Sequence, residues 1–180
     1  IFATNTSTLP ITGLAEASND PKRFIGLHFF SPVDKMKLVE IITGEETSDA
    51  TLARSMDFVQ AIQRTPIVVS DSRGFFTSRV FKTYVMEGIA LLLEGIEPAL
   101  IDNAGRMAGM PVGPLALADE VSLELLHRIT LQTERDLGDA YKPVPAWPVI
   151  VNMVENHGRI GKKAGKGFYA YPEGGKKFIW

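Results

Sequence analysis

The sequence predicts an α/β part at residues 1–71 followed by an all-α part at residues 72–180, and three observations support this division. In the first part, short apolar runs alternate with segments of helical periodicity, which is typical of a sheet that is at least partly parallel. Long amphipathic segments occupy most of the second part. The turn-forming stretch DSRG, at residues 71–74, lies where the two patterns meet.

The α/β part contains strand-like runs and two predicted helices. The runs are apolar and of strand length, and they are IFAT (1–4), FIGLHFF (24–30), KLVEIIT (37–43) and PIVVS (66–70). A helix that begins at a proline, PITGLAEA, follows the first run. Ser48 or Asp49 can cap a second helix, which continues to about Gln63. Its predicted apolar face consists of Leu52, Met56, Val59 and Ile62.

In the all-α part, amphipathic segments predict helices, each of the later ones opened or preceded by a proline. They cover residues 75–93, 98–108, 114–138 and 145–156. The stretch GMPVGPLALADE predicts a helix–turn–helix junction in which Asp119 is a polar helix residue. The next strand expected after Val69 is FYAY, at residues 168–171.

The composition is typical of a soluble globular protein and favours neither a nucleic-acid partner nor a membrane span. Hydrophobic residues make up 45% and charged residues 22% of the chain, and the formal net charge is -2. No apolar run approaches the ~20 residues of a transmembrane helix. Because there are no cysteines, disulfides and thiolate metal sites are excluded. His127 and His157 are expected at surface or helix-terminal positions without metal-ligand spacing, so no metal site is predicted.

Two ionisable residues, His28 and Glu40, lie inside apolar strand-like runs. If these runs are neighbouring strands, the carboxylate can accept the Nδ1 proton of the imidazole and stabilise the imidazolium that forms when Nε2 takes a proton. A buried structural pair without a chemical role explains the same spacing. Both interpretations remain open from the residues alone.

Polar residues follow the first strand directly, in the stretch NTSTLP. Asn5 and Ser7 can each hydrogen-bond a small ligand there, because ligands bind at the carboxyl ends of strands in α/β sheets. The alternative is a polar turn in which Ser7 or Thr8 caps the following helix.

The Gly-rich segment GRIGKKAGKGFYAY, at residues 158–171, does not fit a phosphate-binding P-loop. Only three residues separate Gly161 from Gly165, and Gly167 replaces the required Ser or Thr. The segment is either a solvated basic turn or a surface that attracts an anion such as a nucleotide or CoA. The surplus of basic residues comprises Arg159, Lys162, Lys163, Lys166, Lys176 and Lys177, against Glu173.

Taken together, five stretches resemble the NAD-dependent L-3-hydroxyacyl-CoA dehydrogenases. In order, they are NTSTLPIT, RFIGLHFFSPVDKMKLVEII, DSRGFFTSRVF, GMPVGPLALADEV and GRIGKKAGKGFYAY, and they span almost the whole chain. The sequence FSPVDKM is more similar to the dehydrogenase part of the multifunctional β-oxidation α-subunit than to the free-standing enzyme, whose loop usually has the sequence FNPV.

The resemblance implies the distal part of a Rossmann-type NAD-binding domain followed by a helical dimerisation domain. The family's first βαβ unit, with its GxGxxG turn, would precede Ile1, so we expect a piece of a longer protein that is inactive alone. NAD is the implied cofactor and an acyl-CoA the implied substrate. A homodimer and a thiolase subunit are the implied partners. The implied compartment is the bacterial cytoplasm, or the mitochondrial matrix or peroxisome of a eukaryote.

The resemblance also implies roles for individual residues. His28 matches the catalytic base and Glu40 its carboxylate partner. Ser7 matches the serine that binds the substrate's 3-oxygen, Asn5 a residue on the nicotinamide side of the cofactor, and Lys163, more loosely, a basic residue near the cofactor.

Two positions depart from the family pattern. Ser31 replaces the Asn of the FNPV loop, and Ser78 replaces a substrate-side Asn. The implied reaction oxidises an L-3-hydroxyacyl-CoA to a 3-ketoacyl-CoA. The alternatives are a related hydroxy-acid or sugar dehydrogenase and a non-catalytic module for dimerisation or packing.

Overall fold

In the computed structural model, which describes residues 1–180, the chain forms two units, Ile1–Phe81 and Lys82–Trp180. The division falls inside a helix. The domain boundary expected at residue 72 therefore stays a proposal. None of the helices has both the length and the apolar character that crossing a membrane requires.

A four-stranded sheet forms the first unit, together with helices α1 (Ile11–Ala15) and α2 (Asp49–Ala61). The strands lie in chain order across the sheet and are β1 (Phe2–Thr4), β2 (Phe24–Phe29), β3 (Leu38–Thr43) and β4 (Thr65–Ser70). β1 pairs with β2 and β3 with β4 in parallel, whereas β2 and β3 are antiparallel. The partly parallel sheet and the runs assigned to it are confirmed.

Each face of the sheet buries its own apolar cluster, because successive side chains of a strand point to opposite faces. Ile25, Leu27, Val39 and Ile41 pack with Val59 of α2 in one cluster. The other cluster contains Ile11, Ala15, Phe24, Ile42 and Phe75. A Cβ at Gly26 would lie 2.7 Å from Ile11 Cδ1, so only glycine lets α1 approach the sheet this closely at that position.

The helix termini of the first unit correct two expectations. Neither Ser7 nor Thr8 caps α1; instead the Asp71 carboxylate accepts hydrogen bonds from the Ile11 and Thr12 amides, at 2.7 and 2.8 Å. Ser48 does cap α2, accepting from the Thr51 amide. Ile62 lies beyond the end of that helix and is 38% exposed, so it is not part of the buried face.

Five helices and a small hairpin follow. The helices are α3 (Thr77–Leu93), α4 (Pro98–Met107), α5 (Pro114–Val121), α6 (Leu123–Leu137) and α7 (Trp147–Val151), the last continued by a π-helical turn, Asn152–Asn156. The expected helix at 114–138 is two helices, because Ser122 has φ 93° and interrupts it. The strand expected at residues 168–171 is β5 (Tyr169–Ala170). It pairs with β6 (Phe178–Ile179), which was not predicted.

Two buried aspartates accept hydrogen bonds that connect separate segments of the second unit. Asp102 accepts hydrogen bonds from the Leu115 and Ala116 amides at the start of α5 and from the Tyr169 hydroxyl. Asp119 accepts from the Phe168 and Tyr169 amides at 2.7 and 2.9 Å. Asp119 was expected to be an ordinary polar helix residue, and that expectation was wrong, since it is 1% exposed.

The Asp119 carboxylate also accepts a hydrogen bond from the Tyr171 hydroxyl, at 2.9 Å. Burial raises the pKa of Asp119, and the hydrogen bonds it accepts only partly offset this effect. Burial and the neighbouring Asp119 carboxylate likewise raise the pKa of Tyr171. Burial of this carboxylate is unfavourable, and the three hydrogen bonds that it accepts partly offset the loss of solvation.

We expect Asp119→Ala to lower the free energy of unfolding of the chain by about 3 kcal/mol or more, because two buried amides and a hydroxyl lose their acceptor. Urea denaturation followed by circular dichroism measures the loss. Glu173→Ala, at an exposed position, is the control and should change the value by less than about 0.5 kcal/mol. A loss below 1 kcal/mol for Asp119→Ala, on the order of a surface substitution, would contradict the role of this carboxylate.

Candidate active site

His28 and Glu40 lie directly opposite each other on the antiparallel strands β2 and β3. The distance from His28 Nδ1 to Glu40 Oε2 is 2.7 Å, and the side chains point to the face that carries α1 and Phe75. Glu40 is fully buried and His28 is 7% exposed. An ionised carboxylate only accepts hydrogen bonds, so Nδ1 is the donor and the neutral ring has its lone pair on Nε2.

The carboxylate of Glu40 has three further donors, all at the start of α3. The amides of Phe76 and Thr77 donate to Oε1, at 3.1 and 2.8 Å. The Thr77 hydroxyl donates to Oε2 at 2.7 Å. Glu40 thereby satisfies amides at a helix N-terminus, where a negative charge is favourable.

Burial alone would raise the pKa of Glu40. The hydrogen bonds from His28, Thr77 and Phe76 outweigh it, so the pKa of this carboxyl lies below its ordinary value. The charge on Glu40 is therefore stabilised by its partners, and the group stays ionised at neutral pH.

Two aromatic rings lie beside the imidazole. The ring centroids of His28 and Phe30 are 4.4 Å apart, and those of His28 and Phe75 are 6.1 Å apart. Phe75 has φ 47° and follows Gly74, with φ 79°. These left-handed residues turn the chain so that the next two amides face Glu40.

The polar loop after β1 lies at the same edge of the sheet as His28, because β1 and β2 are parallel and both end there. Asn5 Oδ1 accepts a hydrogen bond from the Phe29 amide at 2.9 Å, which leaves its amide nitrogen for a ligand. The Ser7 hydroxyl is exposed and 3.2 Å from that of Thr8. The Ser78 hydroxyl donates to the Ser7 carbonyl oxygen at 3.4 Å. The structure thus brings Asn5, Ser7 and Ser78 close to the His28 strand.

Lys163 belongs to the other unit, where it is exposed on the 3-10 turn Lys162–Ala164. Several of the basic residues counted in the expected cationic surplus already have partners within their unit. Arg159 is 8% exposed and donates to the carbonyl oxygens of Gly167 and Tyr169. Lys162 pairs with Glu120, and Lys177 Nζ lies 4.3 Å from the ring centroid of Tyr169.

The remaining histidines give one correction. His157 is exposed at the end of the π-helical turn, as expected. His127 is not a surface residue: it is 8% exposed, its ring stacks on Trp147 at 5.0 Å, and its Nε2 lies 3.1 Å from Glu155 Oε1. No group of three or more His, Asp or Glu side chains is arranged to hold a metal ion.

Sequence reasoning missed Thr77 and Asp71 as parts of this site. Each lies far along the chain from the group that it contacts, so no local spacing indicates the contact. The available signal was the start of a long helix immediately after a turn, since free amides at such a position attract a carboxylate.

Models of two protein domains match the chain. Residues 1–72 match the NAD-binding domain of 3-hydroxyacyl-CoA dehydrogenase, and residues 74–171 match the C-terminal domain of the same enzyme. The chain belongs to the 3-hydroxyacyl-CoA dehydrogenase family, which confirms the resemblance, the Rossmann-type domain followed by a helical domain, and NAD as the cofactor.

Curated relatives include the fatty acid oxidation complex subunit alpha of Shewanella amazonensis, 44% identical over 177 residues, and that of Shewanella halifaxensis, 45% identical over 177 residues. Each alignment covers 98% of this chain but only 24% of the relative. The chain therefore spans about a quarter of the length of these relatives.

Solved structures give the same family. The (S)-3-hydroxybutyryl-CoA dehydrogenase of Ralstonia eutropha has a TM-score of 0.85 and 36% identity, with 96% of this chain and 61% of that chain covered. The 3-hydroxybutyryl-CoA dehydrogenase of Escherichia coli has a TM-score of 0.80 and 32% identity, with 94% and 36% covered.

We expect the stability contributed by Glu40 to depend on pH. Because its pKa is lower in the folded state, the unfolded chain binds more protons, and stability falls as the pH drops below the ordinary value of 4.5. Glu40→Gln should lower the unfolding free energy by about 2 to 3 kcal/mol at pH 7. This deficit should shrink below pH 4.5, where Glu40 of the unfolded wild-type chain becomes protonated.

Urea denaturation at several pH values between 7 and 3 measures the two proteins side by side. Glu45→Gln, on an exposed loop, is the matched control and should change the free energy by less than about 0.5 kcal/mol throughout. A deficit of Glu40→Gln that stays constant across the range would be inconsistent with a low pKa in the folded state.

Proposed function

We propose that this chain supplies the base and the substrate-side groups of an NAD-dependent L-3-hydroxyacyl-CoA dehydrogenase within a longer protein. The observation that carries the proposal is the buried pair of His28 and Glu40, joined by a 2.7 Å hydrogen bond next to the polar loop after β1. A carboxylate that fixes the imidazole tautomer favours general-base catalysis by histidine, because it leaves the Nε2 lone pair free and stabilises the imidazolium that forms.

In the proposed reaction, His28 Nε2 takes the proton of the substrate's 3-hydroxyl group. Glu40 holds the ring through Nδ1 and offsets the positive charge that forms on it. The hydroxyls of Ser7 and Ser78 orient the oxygen as it becomes a carbonyl. NAD, when bound, supplies the hydride acceptor.

Two exposed residues, Asn5 and Lys163, fit parts of the cofactor. Asn5 offers an unused amide nitrogen at the carboxyl ends of parallel strands, where nucleotides bind in α/β sheets, and this fits the nicotinamide end of NAD. Lys163 is an exposed cation that fits a phosphate. Residues 1–180 contain no GxGxxG turn, so the chain holds only part of the family's cofactor site.

The proposed substrate is an L-3-hydroxyacyl-CoA, as the names of the relatives suggest. We further propose that the helical part forms a homodimer and that a thiolase subunit joins the assembly, since the curated relatives are subunits of fatty acid oxidation complexes. Size-exclusion chromatography with light scattering tests the dimer.

A non-catalytic module for dimerisation or packing is the second candidate. It is favoured by the Ser78 hydroxyl, which bonds the Ser7 main chain rather than an open site. The intact His28–Glu40 pair weighs against it. Formation of NADH from NAD and L-3-hydroxybutyryl-CoA by the longer protein decides between the two.

We expect His28→Ala in the longer protein to lower kcat by roughly 10² to 10⁴-fold, the usual contribution of a general base, with NAD affinity nearly unchanged. NADH absorbance measures turnover and calorimetry measures NAD binding. His157→Ala is the control, because His157 is exposed and lies in the other unit. Turnover of His28→Ala equal to that of the wild type would refute the assignment.

The chain Ile1–Trp180 alone should bind NAD weakly, since no GxGxxG turn is present in it to hold the pyrophosphate. Calorimetry with NAD checks this, and the longer protein serves as the positive control. Micromolar binding by the chain alone would show that the phosphates are held by other residues.

A further inference from the structure

The Glu40 carboxylate is held by two kinds of contact at the start of α3. Its Oε1 accepts the main-chain amides of Phe76 and Thr77. Its Oε2, the oxygen that faces His28, accepts the Thr77 hydroxyl and His28 Nδ1, each at 2.7 Å. The Thr77 hydroxyl and the His28 imidazole therefore donate to the same carboxylate oxygen.

The hydroxyl is not needed to satisfy the helix end. Both amides already have Oε1 as their acceptor, and any residue at position 77 other than proline would supply the same amide. The hydroxyl adds a second fixed donor to Oε2. The position of this oxygen depends on χ3 of the glutamate, a torsion angle that is broadly distributed in general. The hydroxyl restrains the oxygen that orients His28.

The side chain of Thr77 is well suited to this contact. A β-branched residue at the start of a helix has few χ1 rotamers, so its hydroxyl is held in place with little loss of entropy on binding the carboxylate. Hydrogen bonds to a charged acceptor are also about twice as strong as those between neutral groups. The 2.7 Å distance is typical of a strong O–H···O bond.

We propose that Thr77 is a positioning residue for the dyad: its hydroxyl fixes the Glu40 oxygen that aligns His28 for proton transfer. The inference rests on the proposed function, because alignment matters for rate only if His28 is the base. It adds a residue that acts through Glu40 and contacts neither the substrate nor the cofactor.

Thr77→Val removes the hydroxyl and keeps the branched shape, and Thr77→Ser keeps the hydroxyl. In the longer protein, Thr77→Val should lower kcat about tenfold, the effect of one hydrogen bond to a charged group, with KM nearly unchanged. Thr77→Ser should stay within about threefold of the wild-type kcat, which corresponds to about 0.6 kcal/mol. Thr133→Val is the matched control, since the Thr133 hydroxyl donates to the Ile129 carbonyl oxygen of its own helix.

A second measurement needs no turnover and uses the chain Ile1–Trp180. Carbon-13 NMR of the Glu40 carboxyl should show a raised pKa in Thr77→Val and recovery in Thr77→Ser, because the hydroxyl helps to stabilise the charge. Proton NMR should show a changed resonance for the His28 Nδ1 proton in Thr77→Val alone. Thermal unfolding confirms that each variant is folded.

Each outcome decides the proposal. Equal kcat losses in Thr77→Val and Thr77→Ser would assign Thr77 to packing, and an unchanged Glu40 titration in Thr77→Val would overturn the contact itself. If the wild-type longer protein makes no NADH, the proposed function fails. The NMR comparison then still decides whether Thr77 fixes the pair.

Discussion

The hydrogen bonding of one buried carboxylate, that of Glu40, is the constraint on which the rest of the site depends. A charge removed from water is tolerated only when its partners replace the lost solvation. Glu40 has four such donors, from β2 and from the start of α3. They fix the register of His28 against Glu40 and the point where α3 begins.

The segment at residues 71–78, from the end of β4 into the first turn of α3, connects this pair to the polar loop after β1. Asp71 accepts the first amides of α1, which follows the loop, and the Ser78 hydroxyl donates to Ser7 within it. Gly74 and Phe75 adopt left-handed conformations between these contacts. For Phe75 this costs on the order of 1 kcal/mol, offset by burial of its ring against the sheet. One short segment thus positions the loop and the dyad together.

The sequence predicted the elements that depend on local pattern. All four strands of the sheet follow from apolar runs and their spacing, whereas the pairing of His28 with Glu40 was expected only if their two runs were neighbouring strands. Contacts between distant residues could not be predicted this way: Asp71 as a helix cap and Asp119 as an acceptor for Phe168 and Tyr169 are examples. The roles of Asn5, Ser7, Ser78 and Lys163 stay predictions, because they concern ligands.

The four hydrogen bonds to Glu40 also determine which member of the pair can accept a proton. A carboxylate that accepts four hydrogen bonds and has a lowered pKa is a poor proton acceptor, so Glu40 cannot be the base at neutral pH. The lone pair of His28 Nε2 has no such partner in the structure, and the ring is 7% exposed beside Phe30 and Phe75. In the proposed reaction, the contacts that stabilise the fold at Glu40 are therefore the same contacts that leave proton transfer to His28.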